Sequence, residues 1–177
     1  PYFGGTHLPD VNVVSPAFYD DKLLGFACVR AHWPDIGSAT PGSYGAVTEI
    51  YGEGLRLPPV RLYIKGELNQ DVTRIIFANV RTPNERQGDM SAQVAATRRA
   101  VQRLGALADK YGAQKLTSIM GEVMDYSEIM MRIMLSRLPD GTGEFEEWCD
   151  GDGILNDAGE EEPFKVHLSL TKSGDHL

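Results

Sequence analysis

A chain of 177 residues with 42% hydrophobic and 8% aromatic side chains is long enough to bury a core and ordinary enough in composition to be one globular piece. Its 17 Lys and Arg stand against 25 Asp and Glu, a formal net charge of -8, which argues against nucleic acid or an anionic membrane as a partner. No apolar run approaches the ~20 residues of a membrane span, and no basic-then-apolar leader is visible, so the cytoplasm is the expected compartment.

The acid is concentrated between Asp140 and Glu162, a stretch without Lys or Arg, and the rest of the chain is nearly balanced. Cys28 and Cys149 lie in strand-like contexts with no CxxC or CxH spacing, which predicts buried free thiols in a reducing compartment.

In chain order, the first signal is a tetrapeptide that occurs twice, His7-Leu8-Pro9-Asp10 and His32-Trp33-Pro34-Asp35. Histidine and carboxylate are ordinary ligands of first-row metals, and the proline between them disfavours helix and fixes a turn. The competing reading is a pair of surface turns, because X-Pro-Asp is also common turn chemistry. Residues Val11 to Trp33 read as strand, turn, strand, with Tyr19-Asp20-Asp21-Lys22 at the turn and Leu23 to Val29 as a buried run. A hairpin returns the chain to its origin, so geometry alone predicts that His7 and His32 meet as part of a metal site or catalytic dyad.

Ile36 to Leu57 is rich in turn formers, including Thr40-Pro41-Gly42-Ser43, Gly52 and Gly54. Such a loop beside a site is either a lid or substrate-contacting segment, or a connector. It lacks the phosphate-loop pattern and its lysine. Glu49 and Glu53 could share a face, as a solvated pair or as support for a ligand. Pro58 to Ile64 reads as a strand with Lys65-Gly66-Glu67 as its turn.

Asp71 to Asn79 has helical spacing with Asp71 as a candidate N-cap, and Arg81 to Glu85 breaks it. A long helix is predicted from near Asp89 to Tyr111, with an apolar stripe through Val94, Val101, Leu104, Leu107 and Ala108, and Gly112 closing it. A second runs from about Gln114 to Arg137. It holds five of the six methionines, which pack a core or dock onto another surface. The two helices are expected to form an antiparallel pair.

The tail reads as strands over Gly143–Cys149 and Pro163–Leu170. The intervening Asp150-Gly151-Asp152-Gly153 lacks the order of ligands a calcium loop needs. His167 is expected on a strand facing solvent. Since Pro1 lies so near His7, and the turn signal Lys172-Ser173-Gly174 is followed by no strand, an internal piece of a longer chain is expected. The fold class is thus α+β, with an N-terminal β-hairpin region (1–65), a central helical region (71–138) and a C-terminal β-hairpin (143–172), a single piece of a larger multi-domain subunit.

The segments Pro1-Tyr2-Phe3-Gly4-Gly5-Thr6-His7-Leu8-Pro9-Asp10, Arg30-Ala31-His32-Trp33-Pro34-Asp35-Ile36-Gly37, Glu53-Gly54-Leu55-Arg56-Leu57-Pro58-Pro59, Asn79-Val80-Arg81-Thr82-Pro83 and Gly88-Asp89 together resemble the hydantoinase B/oxoprolinase family over nearly the whole chain. The resemblance implies a divalent metal (zinc, manganese or iron) held by His7, Asp10 and His32, with a further carboxylate from upstream. Asp35 is either an additional ligand or a hydrogen-bond partner of a ligand histidine. Gly42, Ser43 and Glu53 are the substrate-loop candidates, although the common Gly-Ser-Met-Pro-Pro is replaced by Gly42-Ser43-Tyr44-Gly45-Ala46. The implied function is ATP-dependent opening of a cyclic amide (hydantoin, 5-oxoproline or lactam). ATP binding and phosphorylation of the carbonyl oxygen fall to an A-type partner, and this B-type chain carries the metal. The alternatives are one component of an acetone- or acetophenone-type carboxylase and a non-catalytic docking scaffold.

Overall fold

A computed structural model describes residues 7–42 and 45–177. Two compact units divide the chain, Pro1–Ala106 and Leu107–Leu177.

The first unit is built on a hairpin of β1 (Asp10–Tyr19) and β2 (Lys22–His32). Asp20 and Asp21 form its two-residue turn with φ of 47° and 58°, the left-handed pair that follows the twist of the strands. Pairing runs from Tyr19↔Lys22 to Asp10↔His32, with one irregularity at Ala17/Phe18. Alternation divides the ladder into two faces. Val11, Val13, Ser15 and Ala17 of β1 turn inward, whereas Asn12, Val14, Pro16 and Phe18 are exposed. Cys28 lies on the exposed face of β2, so the expectation that both thiols are buried is corrected: Cys28 is exposed and Cys149 half-buried, both free.

Beyond Glu49, a single 3-10 turn spans Ile50–Glu53. Of the strand expected over Pro58–Ile64, only Tyr63–Ile64 (β3) pairs, with Glu67–Leu68 (β4). Pro58 and Pro59 have no N–H to give a ladder, and the carbonyls of Arg61 and Leu62 accept from the side chain and amide of Asn69. Asn69 rather than Asp71 caps α1 (Gln70–Ala78), its Oδ1 accepting from the Val72 amide.

The long helix α2 (Pro83–Tyr111) starts six residues earlier than expected. Proline is well suited to a first helical position because its missing N–H has no intrahelical acceptor there. The break between α1 and α2 is correspondingly short. Trp33, Ile36, Ile76 and Met90 form the core of this unit, with Leu8, Val11, Leu55 and Phe77 packed around them.

Of the expected stripe on α2, Val94 and Ala108 are buried, Val101 and Leu104 half-buried and Leu107 exposed, and two polar residues are buried toward the hairpin beside them. Gln93, 3% exposed, accepts from Trp33 Nε1 at 2.9 Å and donates to the carbonyls of Val11 (2.8 Å) and Val29 (3.3 Å). Thr97, fully buried, accepts from Ser15 Oγ at 3.0 Å and donates to the Val94 carbonyl.

In the second unit Gly112, at φ 84°, ends α2 and opens α3 (Ala113–Ser136). Leu116 is the buried residue of α3, and Val123, Met124, Ile129, Met131 and Met134 are exposed. The division between the units falls inside α2, so the two helices expected to pair lie largely in different units. Strands β5 (Gly141–Cys149) and β6 (Phe164–Lys172) form a hairpin. The loop between them is tied by Asn156, whose Oδ1 accepts from the amides of Ala158 and Glu160. His167 stands exposed on β6, with Nδ1 3.1 Å from Glu146 Oε1. No helix among the described residues is long and apolar enough to cross a membrane.

Candidate functional site

The two tetrapeptides meet at the open end of the β1–β2 ladder. The Pro9 carbonyl accepts from the amides of both Val11 (2.9 Å) and Trp33 (2.8 Å), which locks the first turn against the residue after His32. The Asp10 amide bonds to the His7 carbonyl at 3.3 Å, so His7 is folded back over Asp10. Asp10 in turn stands opposite His32 in the ladder.

Three side chains converge as a result. His7 Nε2 lies 3.1 Å from His32 Nδ1, His7 Nδ1 3.3 Å from Asp10 Oδ2, and His32 Nδ1 3.4 Å from Asp10 Oδ1. The imidazole centroids are 5.0 Å apart with the planes inclined by 32°. One ligand atom from each residue can be chosen so that all lie within 4.8 Å of one another. Ligands about 2.1 Å from one ion are separated by about 3.0–3.4 Å at octahedral and tetrahedral edges, whereas the short contacts here engage both nitrogens of His7, so the donor set fits a divalent cation in chemistry and lies within a ring rotation of it in spacing. Among the described residues it is the one cluster of histidine and carboxylate groups with such spacing.

Next along the same face of the ladder are Asn12 and Arg30, paired in register. Arg30 donates from Nε to Asn12 Oδ1 at 3.2 Å, and its Nη1 lies 3.7 Å from Asp10 Oδ2. Asn12 Nδ2 donates to the Asp10 carbonyl at 3.2 Å. Neither residue is prominent in the sequence, although strand alternation from Asp10 and His32 would have placed both beside the cluster.

Asp35 is elsewhere. Its Oδ1 accepts from the Gly37 amide and from Arg81 Nη1, both at 3.0 Å, and its Oδ2 accepts from the Arg81 amide. Arg81 Nη2 continues to the Ser38 carbonyl at 2.7 Å. Burial pushes the Asp35 carboxyl upward, but the Gly37 and Arg81 hydrogen bonds and the guanidinium charge outweigh it and hold the group below the ordinary aspartate range. Asp35 thus fastens the exit of the second tetrapeptide to the segment between α1 and α2. Gly37 is required there: its φ is 78°, and a Cβ would sit 1.9 Å from the Asn79 carbonyl oxygen.

Of the substrate-loop candidates, Gly42 is exposed, Glu53 is half-buried at the end of the 3-10 turn, and Ser43 lies outside the described residues. The loop carrying them is pinned at its base by Ala39 N to Gly52 O and Leu55 N to Ile36 O, both 2.8 Å. A groove of about 530 Å³ elsewhere in this unit is lined by residues including Tyr63, Thr73, Arg74, Phe77 and Met90, with no imidazole or carboxylate among its described lining residues.

An α+β chain whose first hairpin brings two imidazoles and a carboxylate together is the class that fold and site define. The family model for hydantoinase B/oxoprolinase matches residues 1–177, and the chain belongs to that family. The B-type component of a putative D-/L-hydantoinase from Pseudomonas sp. (strain NS671) is 38% identical over 179 residues, covering 100% of this chain and 30% of that protein. The crystal structure of the ATP-dependent caprolactamase from Pseudomonas jessenii superposes with a TM-score of 0.85 at 31% identity, over 99% of this chain and 30% of that one. An acetophenone carboxylase delta subunit of Aromatoleum aromaticum is 26% identical, over 99% of this chain and 25% of that protein. The chain therefore spans less than a third of the length of these relatives.

Proposed function

We propose that this chain is the metal-bearing portion of a B-type subunit in an ATP-dependent hydrolase that opens a cyclic amide after an A-type partner has phosphorylated the amide oxygen. The observation that carries the reading is the convergence of His7, Asp10 and His32 within one hairpin end of a chain similar to hydantoinase and caprolactamase subunits. These three side chains would hold a zinc, manganese or iron ion. Bound there, such an ion would supply Lewis acidity toward a carbonyl and a lowered water pKa.

The chain's own residues set the placement of these three ligands. The ladder fixes Asp10 against His32, and the Pro9 turn sets His7 over both. The Asp10 side chain is 14% exposed and those of His7 and His32 are 42% and 35% exposed, so the cluster is open on the imidazole side for a substrate to approach. Phosphorylation of the amide oxygen converts a poor leaving oxygen into a good one, and division of ATP binding from hydrolysis between two subunits suits a chain in which no phosphate-loop sequence occurs.

The similarity to an acetophenone carboxylase component favours one second reading, carboxylation of a phosphorylated enol by a bicarbonate-derived donor. Metal analysis of the chain and of the His7→Ala/His32→Ala variant tests the site. A stoichiometric divalent ion in the parent and none in the variant is expected; no ion in the parent sinks the reading. In the assembled enzyme, a product carboxylated only when bicarbonate is present would replace hydrolase by carboxylase.

A further inference from the structure

We infer that Arg30 is the oxyanion-binding residue of this site, receiving a phosphoryl oxygen of the activated substrate; the inference rests on the function proposed above. Arg30 and Asn12 are the next cross-strand pair after Asp10 and His32 on the same face of the hairpin, so the guanidinium borders the cluster by register. Its orientation is set: Nε is engaged by Asn12 Oδ1 at 3.2 Å, and Asn12 is itself tied to the Asp10 carbonyl. The remaining contact, Nη1 to Asp10 Oδ2 at 3.7 Å, is longer than a hydrogen bond. The side chain is 54% exposed, so N–H donors of a planar fork face solvent beside the imidazoles.

Charge favours the same ligand. Asp10 and Arg30 cancel one another, so a divalent ion held by the three ligands leaves the patch net positive, by one charge when a further carboxylate joins the ligands. A phosphoryl group carries compensating charge and the oxygens that a guanidinium fork grips.

The test is a calorimetric titration of the full chain with inorganic phosphate, and in parallel with acetate, before and after loading with zinc. Expected are phosphate binding in preference to acetate, weakening of about 10–100-fold in Arg30→Met, an intermediate loss in Arg30→Lys, and unchanged zinc stoichiometry in both. Equal phosphate affinity in Arg30→Met and the parent overturns the inference, as does preference for acetate or absence of phosphate binding to the parent. Zinc content is read separately: a parent that takes no zinc defeats the proposed function, while Arg30-dependent phosphate binding to the zinc-free chain upholds the residue's role.

Discussion

Asp10 and His32 face each other across the last rung of the β1–β2 ladder, with His32 Nδ1 3.4 Å from Asp10 Oδ1. Their meeting depends on register, because a slip of one residue sends a strand side chain to the opposite face. Replacing Asp20-Asp21 by Asn-Gly keeps the register and suits the positive φ at both positions. Relief of the positive φ is partly offset by the entropy that glycine loses on folding, so the variant should be at least as stable as the parent and leave metal content unchanged. Deleting Asp21 should shift the pairing and abolish metal uptake. Thermal melts and metal analysis of the two variants check both; metal retained by the deletion would show that register does not build the site.

The Asp35–Arg81 contact should matter for stability rather than for ligation. Asp35 is buried and spends both oxygens on Gly37 and Arg81, whose side chain is 43% exposed, so Asp35→Asn is expected to cost about 1–2 kcal/mol while metal stoichiometry is kept. The sign with pH follows from the lowered carboxyl pKa. A group whose folded pKa lies below its unfolded value stabilises fully above the unfolded value, about 3.9, and loses that contribution as pH falls through the folded one. The gap between parent and Asp35→Asn should therefore be constant near neutrality and shrink below about pH 4. Denaturant midpoints across that range measure it, and a gap that widens in acid would contradict the latch.

Local signals made the outer half of this arrangement legible. A duplicated His-X-Pro-Asp and a two-aspartate turn between apolar runs were enough to bring His7, Asp10 and His32 together. The same equivalence of copies misleads at Asp35, because what decides its role is Arg81, 46 residues away, and no spacing rule links them. Hydrophobic periodicity likewise places α2 and most of its buried stripe, Val94, Val101, Leu104 and Ala108, but misses the polar residues that share that burial. Gln93 and Thr97 are inside because they satisfy a tryptophan N–H, strand carbonyls and Ser15, contacts that a count of apolar residues cannot register. For α3 an apolar helix face states that a partner is needed without saying which.

Gln93 is accordingly expected to be one of the most sensitive positions in the first unit. Gln93→Leu is close in volume but removes an acceptor from Trp33 Nε1, which is buried, and a donor shared by the part-buried carbonyls of Val11 and Val29. Leaving those groups unmatched should cost about 2–4 kcal/mol, with Gln93→Glu similarly poor because no donor remains for the two carbonyls. Chemical denaturation gives the figure; a loss under about 0.5 kcal/mol would mean that the network is dispensable.

Arg86 should behave in the opposite way. It is 5% exposed, its Nη2 meets Asp89 at 3.0 Å, and its buried Nε and Nη1 have no hydrogen-bond partner among the described residues. Burying unmatched donors of a charged group is costly, whereas Asp89, 43% exposed in its side chain, can be left to water. Arg86→Met keeps the length of the aliphatic stem beside Met90 and removes the unmatched N–H groups. The variant of this chain should therefore be as stable as the parent or more stable by about 1 kcal/mol, while Asp89→Ala, which strips the guanidinium of its closest carboxylate, should be destabilised by about 3 kcal/mol. Melting temperatures of the two variants decide it: a large drop in Arg86→Met would mean that those N–H groups are satisfied after all.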